Sequence, residues 1–190
     1  MIDLNLPFIP QSFEFDCWYA ALRMLVKFRD PAAEPVAHPT AELEGMRAQS
    51  QRTGVREEAI RQGDHPASYW VRKQLAPNRG LKQEEFQELA GYNGLVSPKL
   101  PPNPPGWTSD QLESLMRIHG PLWCAFGYGH IVVIKGINAA GQAIIHDPQG
   151  NANTLYPIAN VNNLMVWEPN AIMFLPDVPN QNAIDPVDPQ

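Results

Sequence analysis

The sequence predicts an α+β fold in which an N-terminal helical part packs on a C-terminal antiparallel β-sheet. Before Pro121 the apolar residues recur at helical spacing. After it they fall into short β-branched or apolar runs separated by glycine-containing turns. Strands do not alternate with helices, so a parallel sheet is not expected. The chain has 190 residues, 44% of them hydrophobic, which suffices for one ordinary core, and we place a single domain at residues 1–175.

In chain order, Asp16 is an N-cap for a helix over Cys17–Phe28. There Trp18, Ala21, Leu22, Leu25 and Phe28 form the apolar face, with Arg23, Lys27 and Arg29 interleaved. Pro31, Pro35 and Pro39 follow it. Further helices are predicted over Ala41–Gln62, Ala67–Leu75, Lys82–Ala90 and Ser109–His119, the last stopped by Gly120-Pro121. Prolines 98, 101, 102, 104 and 105 make a stiff connector, partly polyproline II. With Trp107 it either spaces the elements or edges a substrate groove. Strands are predicted over Leu122–Phe126, His130–Ile137, Gln142–Asp147, Leu164–Trp167 and Ala171–Leu175. Residues 176–190, rich in Pro and Asp and without Lys or Arg, read as an extended tail.

Charge and cysteine usage exclude several classes. A net charge of -6 argues against nucleic acid or an anionic membrane as partner. No apolar run approaches the ~18 residues of a membrane span. The segment Met1–Pro7 has an acidic residue and no basic one, so it does not read as a Sec signal. Two cysteines make no disulfide framework, which suits a soluble protein folding in a reducing compartment. No CxxC, HxxxH or HExxH spacing supports a metal site from Cys17, His130 and His146, and no cofactor motif is present.

The chemistry concentrates in two segments. Cys17 in the first turn of an amphipathic helix meets the positive end of the helix dipole, which favours thiolate. Gln11, six residues upstream, can fold back and donate to an oxyanion together with the Cys17 amide. His130, in Gly129-His130-Ile-Val-Val-Ile at the start of a central strand, is the base. Its orienting acceptor is Asp147. A hairpin pairing Ile137 with Gln142 sets Asp147 opposite Val132, making it a diagonal neighbour of His130, about 7 Å away at the backbone. His146 then points to the other face, and a one-residue slip exchanges the two.

The blander alternatives are specific. Cys17 alone reads as a buried small hydrophobe, and Cys124, between Trp123 and Ala125, reads as core filler. A Cys17–Cys124 disulfide would abolish the nucleophile. His119 suits a helix C-terminus, and His38 and His65 suit surface turns.

These residues resemble the papain-like cysteine peptidases, in particular the bacterial branch of bacteriocin-processing C39-like peptidases and C70 (AvrRpt2-like) effectors. The matching pieces are Gln11 with Cys17-Trp18-Tyr-Ala-Ala, Gly120-Pro121 before a strand, Gly129-His130-Ile-Val-Val-Ile with Gly136 beyond, and Asp147-Pro148. The resemblance implies Cys17 as nucleophile, His130 as general base and acid, Asp147 as orienter and Gln11 as oxyanion donor. It implies a protein or peptide substrate, no cofactor, and a bacterial effector or toxin exported by a specialised secretion system, with a cognate immunity protein. Read as a whole protein, the chain leaves no room for a pro-segment ahead of Cys17, and no transporter domain follows. Two other outcomes stay open: the same triad working as a deamidase, transglutaminase or peptidoglycan amidase, and a non-catalytic binding module. Asp16 bears on the latter. It stands where many relatives carry an aromatic or small residue, and its carboxylate opposes thiolate unless capping occupies it.

Overall fold

The computed structural model describes residues 1–11, 17–35, 86–127 and 129–176. The predicted helices over 41–62 and 67–75, the Asp16 cap and all of the tail beyond Pro176 lie outside these residues. In order, the elements are β1 (Ile2–Asp3), α1 (Cys17–Arg29), α2 (Phe86–Asn93), α3 (Ser109–His119), β2 (Leu122–Phe126), β3 (His130–Ile137), β4 (Ala143–Asp147), β5 (Asn151–Tyr156), α4 (Ile158–Leu164) and β6 (Ile172–Met173). The strands form one antiparallel sheet in the order β5-β4-β3-β2-β6, with β1 pairing to the far end of β3.

The sheet is covered on both faces. Trp123, Ala125, Ile131, Val133 and Met173 pack with α1 and α2, whereas Leu122, Cys124, Phe126, Val132, Ile134 and Ile172 pack with α3 and α4. Alternate side chains of β2 and β3 therefore enter two different cores. This is why both strands read as unbroken apolar runs instead of an inside–outside alternation. β5, at the edge, is largely exposed.

α1 is a buried helix. Residues 17–22, Met24 and Leu25 are all buried, Val26 and Phe28 are partly so, and the Arg23, Lys27 and Arg29 side faces water. Lys27 and Arg29 in its last turn complement the dipole, and Pro31 prevents continuation. Glu34 folds back onto the helix, taking two bonds from Arg23 at 2.8 and 2.9 Å and an ion pair from Lys27 at 2.8 Å. Partial burial raises the Glu34 carboxyl, but these two cations outweigh it and hold the group below its usual range. α3 begins with a complete capping box. The Gln111 amide donates to Thr108 Oγ1 at 3.2 Å and the Thr108 amide to Gln111 Oε1 at 2.9 Å.

Two expected strands need correction. Leu164–Trp167 is not a strand. Leu164 ends α4, and Met165 makes only an isolated bridge to Phe126, because the chain must turn from the second core back to the sheet edge. The strand expected over Ala171–Leu175 shortens to Ile172–Met173, with Phe174 bridging Val96. β1, β5 and α4 had no strong periodic signal, being short or polar. In addition, the helix expected over Lys82–Ala90 is described from Phe86 and runs on to Asn93.

The turn end of the β3–β4 hairpin also differs from expectation. The Asn138 amide donates to the Gln142 carbonyl, so Ile137 faces Ala143 and not Gln142. Carried on unbroken, that register would turn His146 to the face of His130. One extra residue in β3, Lys135, resets it. Gly136 faces Ile144, but Ile134 faces Ile145 and Val133 faces His146. Beyond the bulge the pairing is the predicted one.

Candidate active site

Cys17 is the first residue of α1 and is 4% exposed. Among the described residues it packs in the same core as Ile131 and Val133, and α1 lies against β2 and β3. The first turn of α1 carries no acidic side chain, so the dipole acts on the thiol there without an opposing charge from within the turn. Cys124 is different. It is wholly buried in β2, and burial pushes its thiol up to about 12. Both cysteines are free thiols, so the disulfide alternative does not hold.

His130 opens β3. Gly129, just before it, sits at φ 77°, a left-handed conformation that glycine adopts without a Cβ penalty. The imidazole side chain is 9% exposed, and its Nε2 lies 2.6 Å from Asp147 Oδ1. A carboxylate can only accept, so Nε2 carries the proton of this bond. Asp147 is held in turn: the Gln149 amide donates to the same Oδ1 at 2.9 Å, and the Gly150 amide closes the turn onto the Asp147 carbonyl at 3.1 Å. The predicted Asp147-Pro-Gln-Gly turn therefore orients the carboxylate as well as reversing the chain. The Gln149 contact was not read from the sequence, although an Asp two residues before a free amide is its usual signal.

Gln11 joins this end of the sheet through its backbone, whose amide donates to the Pro148 carbonyl at 2.8 Å. It therefore stands one peptide from Asp147. His146, by contrast, points away from His130 as predicted and bonds to Leu6 and Asn153. His119 stacks on Phe174 at the end of α3, with ring centroids 4.0 Å apart. The groove that Pro98, Lys99 and Trp107 edge is an open cavity of about 450 Å³ against α3, and Gln11, Cys17, His130 and Asp147 are not among the residues lining it. Among the described residues, no group of three or more His, Cys, Asp or Glu is arranged to hold a metal ion. None of the helices there is long and apolar enough to cross a membrane.

A cysteine heading a buried helix, packed on an antiparallel sheet that carries a His–Asp pair, is the arrangement of a papain-like thiol peptidase. The family follows from the sequence as a whole. The family model described as "Papain-like cysteine protease AvrRpt2", peptidase C70, matches residues 1–164, and the chain belongs to that family of cysteine proteases. No curated protein matches it.

Proposed function

We propose that the protein cleaves peptide bonds in a protein target through Cys17, His130 and Asp147, with Gln11 at the oxyanion. The observation that carries this reading is the 2.6 Å contact of His130 Nε2 with Asp147 Oδ1. It commits Nε2 to the carboxylate and leaves Nδ1 as the nitrogen that exchanges a proton with the thiol. Transfer of the Cys17 proton to His130 creates the thiolate, which attacks the scissile carbonyl carbon. The developing oxyanion takes hydrogen bonds from the Cys17 amide and the Gln11 side chain. Imidazolium Nδ1–H protonates the leaving amine as the C–N bond breaks, giving an acyl-enzyme. Water, deprotonated by the same nitrogen, then releases the acid and restores the thiol.

Membership of this family supports a further step, that the protease is a bacterial effector or toxin delivered into a target cell. If the target is a competing bacterium, a cognate immunity protein follows. Expression of the active protein, but not of Cys17→Ala, should then impair target cells.

The enzymatic proposal is tested with Cys17→Ala on labelled casein, read by intact mass. Fragments from the wild type and none from the variant support it. An equal rate in Cys17→Ala removes it. Uncut chains one mass unit heavier would replace it by deamidation.

A further inference from the structure

His146 is 2% exposed and stands beside Asp147 in β4, yet its side chain turns from the His–Asp pair. Its two nitrogens have opposite partners. Nε2 lies 3.2 Å from the Leu6 carbonyl, which can only accept. Nδ1 receives the Asn153 amide at 3.2 Å, which can only donate. The ring is therefore the neutral Nε2–H tautomer. The Phe8 ring meets it edge-on with centroids 5.3 Å apart.

These contacts fall on one continuous segment. Leu6 is tied to His146, Phe8 packs on the same ring, and the Gln11 amide is tied to Pro148. Upstream, the Leu4 amide donates to the Lys135 carbonyl at 3.0 Å, and Lys135 Nζ pairs with Asp3 at 2.6 Å and reaches Asn153 Oδ1 at 3.1 Å. The N-terminal segment is thus moored along the β3–β4 bulge, and His146 is its last side-chain mooring among these before Gln11. Asn153, in the left-handed region at φ 57°, presents its amide to the ring from a second irregularity, in β5.

We infer that His146 is a positioning residue for the oxyanion half of the site, fastening the segment that carries Gln11 to the strand that carries Asp147. This rests on the oxyanion role proposed for Gln11. His146 touches no reacting atom in this scheme. It acts through Gln11, so its effect belongs in kcat rather than KM.

The test is a double-mutant cycle between His146→Asn and Gln11→Ala, with His146→Gln as the conservative variant. Asn replaces the Nδ1 acceptor and loses the tie to Leu6, whereas Gln supplies a donor near the Nε2 position. Loss of one oxyanion donor costs about 100- to 1000-fold in kcat. His146→Asn should forfeit part of that, roughly tenfold, with KM within about twofold, and His146→Gln should recover most of it. Added to Gln11→Ala, His146→Asn should cost less than about twofold more, because the group it positions is gone. The Cys17 iodoacetamide rate should stay near wild type in all three. Losses that multiply, a fall in alkylation matching the fall in kcat, or no recovery in His146→Gln would overturn the inference while leaving the Cys17 mechanism standing. Full activity in Gln11→Ala or Cys17→Ala would instead remove the reading on which it rests. If His146→Asn does not fold, Phe8→Leu, which removes the ring packed edge-on against His146, takes its place in the same cycle with Gln11→Ala, and losses that multiply there would equally overturn the inference.

Discussion

Replacing Asp147 by Ala removes the acceptor of the His130 Nε2–H bond. At 2.6 Å between a ring nitrogen and a carboxylate only partly exposed, this is a charge-assisted bond with limited screening by water. Such bonds contribute about 1.5–3 kcal/mol. If that support is needed where His130 is imidazolium, in the transition states, kcat/KM falls by about 10- to 150-fold. Asp147→Asn should lose less. The Gln149 amide donates to the same oxygen that faces His130, so the variant's amide oxygen is drawn to that position and still accepts from both. A neutral acceptor retains roughly 0.5–1.5 kcal/mol of the interaction. The measurement is kcat/KM on labelled casein, with near-UV circular dichroism confirming that both variants are folded. A folded Asp147→Ala within about twofold of wild type would refute the reasoning, as would Asp147→Asn being the worse of the two.

Cys124 should be inert in the native state. With its thiol near 12, its thiolate fraction at about pH 7.5 is some three orders of magnitude below that of an ordinary ~8.5 thiol, before any barrier to access. Peptide mapping after brief iodoacetamide treatment should find label at Cys17, and comparable label at Cys124 would contradict the assignment. His146 makes folding pH-dependent. Burial first, and Lys135 second, lower its affinity for a proton, against the opposing pull of Asp3 and the carbonyls of Leu6 and Ile145. The unfolded chain binds that proton near 6.5 and the folded one only at lower pH, so this contribution is constant above about 6.5 and is lost as pH falls toward the folded value. Urea midpoints should show an acid-side decline that is reduced in His146→Gln, and an identical decline would reject it. At Gly136 an added Cβ would lie 2.5 Å from the Ile2 carbonyl and 3.1 Å from Asp3 Cα. Gly136→Ala should therefore cost about 1–3 kcal/mol by displacing β1. An unchanged thermal midpoint would show that β1 contributes nothing there.

The sequence by itself determined the α+β class and singled out the residues to which we assign the chemistry. Helical spacing in Cys17–Phe28 and the apolar runs after Pro121 are local signals, and a cysteine at a helix start, a His after glycine and an Asp in a turn follow local rules. Even the facing of His130 and His146 was readable, because side chains alternate along a strand. Tertiary structure decided how these pieces meet. The hairpin closes one residue away from the predicted pairing, and only the bulge at Lys135 returns Asp147 to the side of His130. That bulge sits where β1 and Asp3 come in from over a hundred residues away. The docking of residues 1–11 along β3 and then β4, and the helices on both sheet faces, likewise depend on contacts between distant parts of the chain. Periodicity reports which faces are apolar, but not which distant surface covers them, and a one-residue offset leaves no trace in a run that is apolar on both sides.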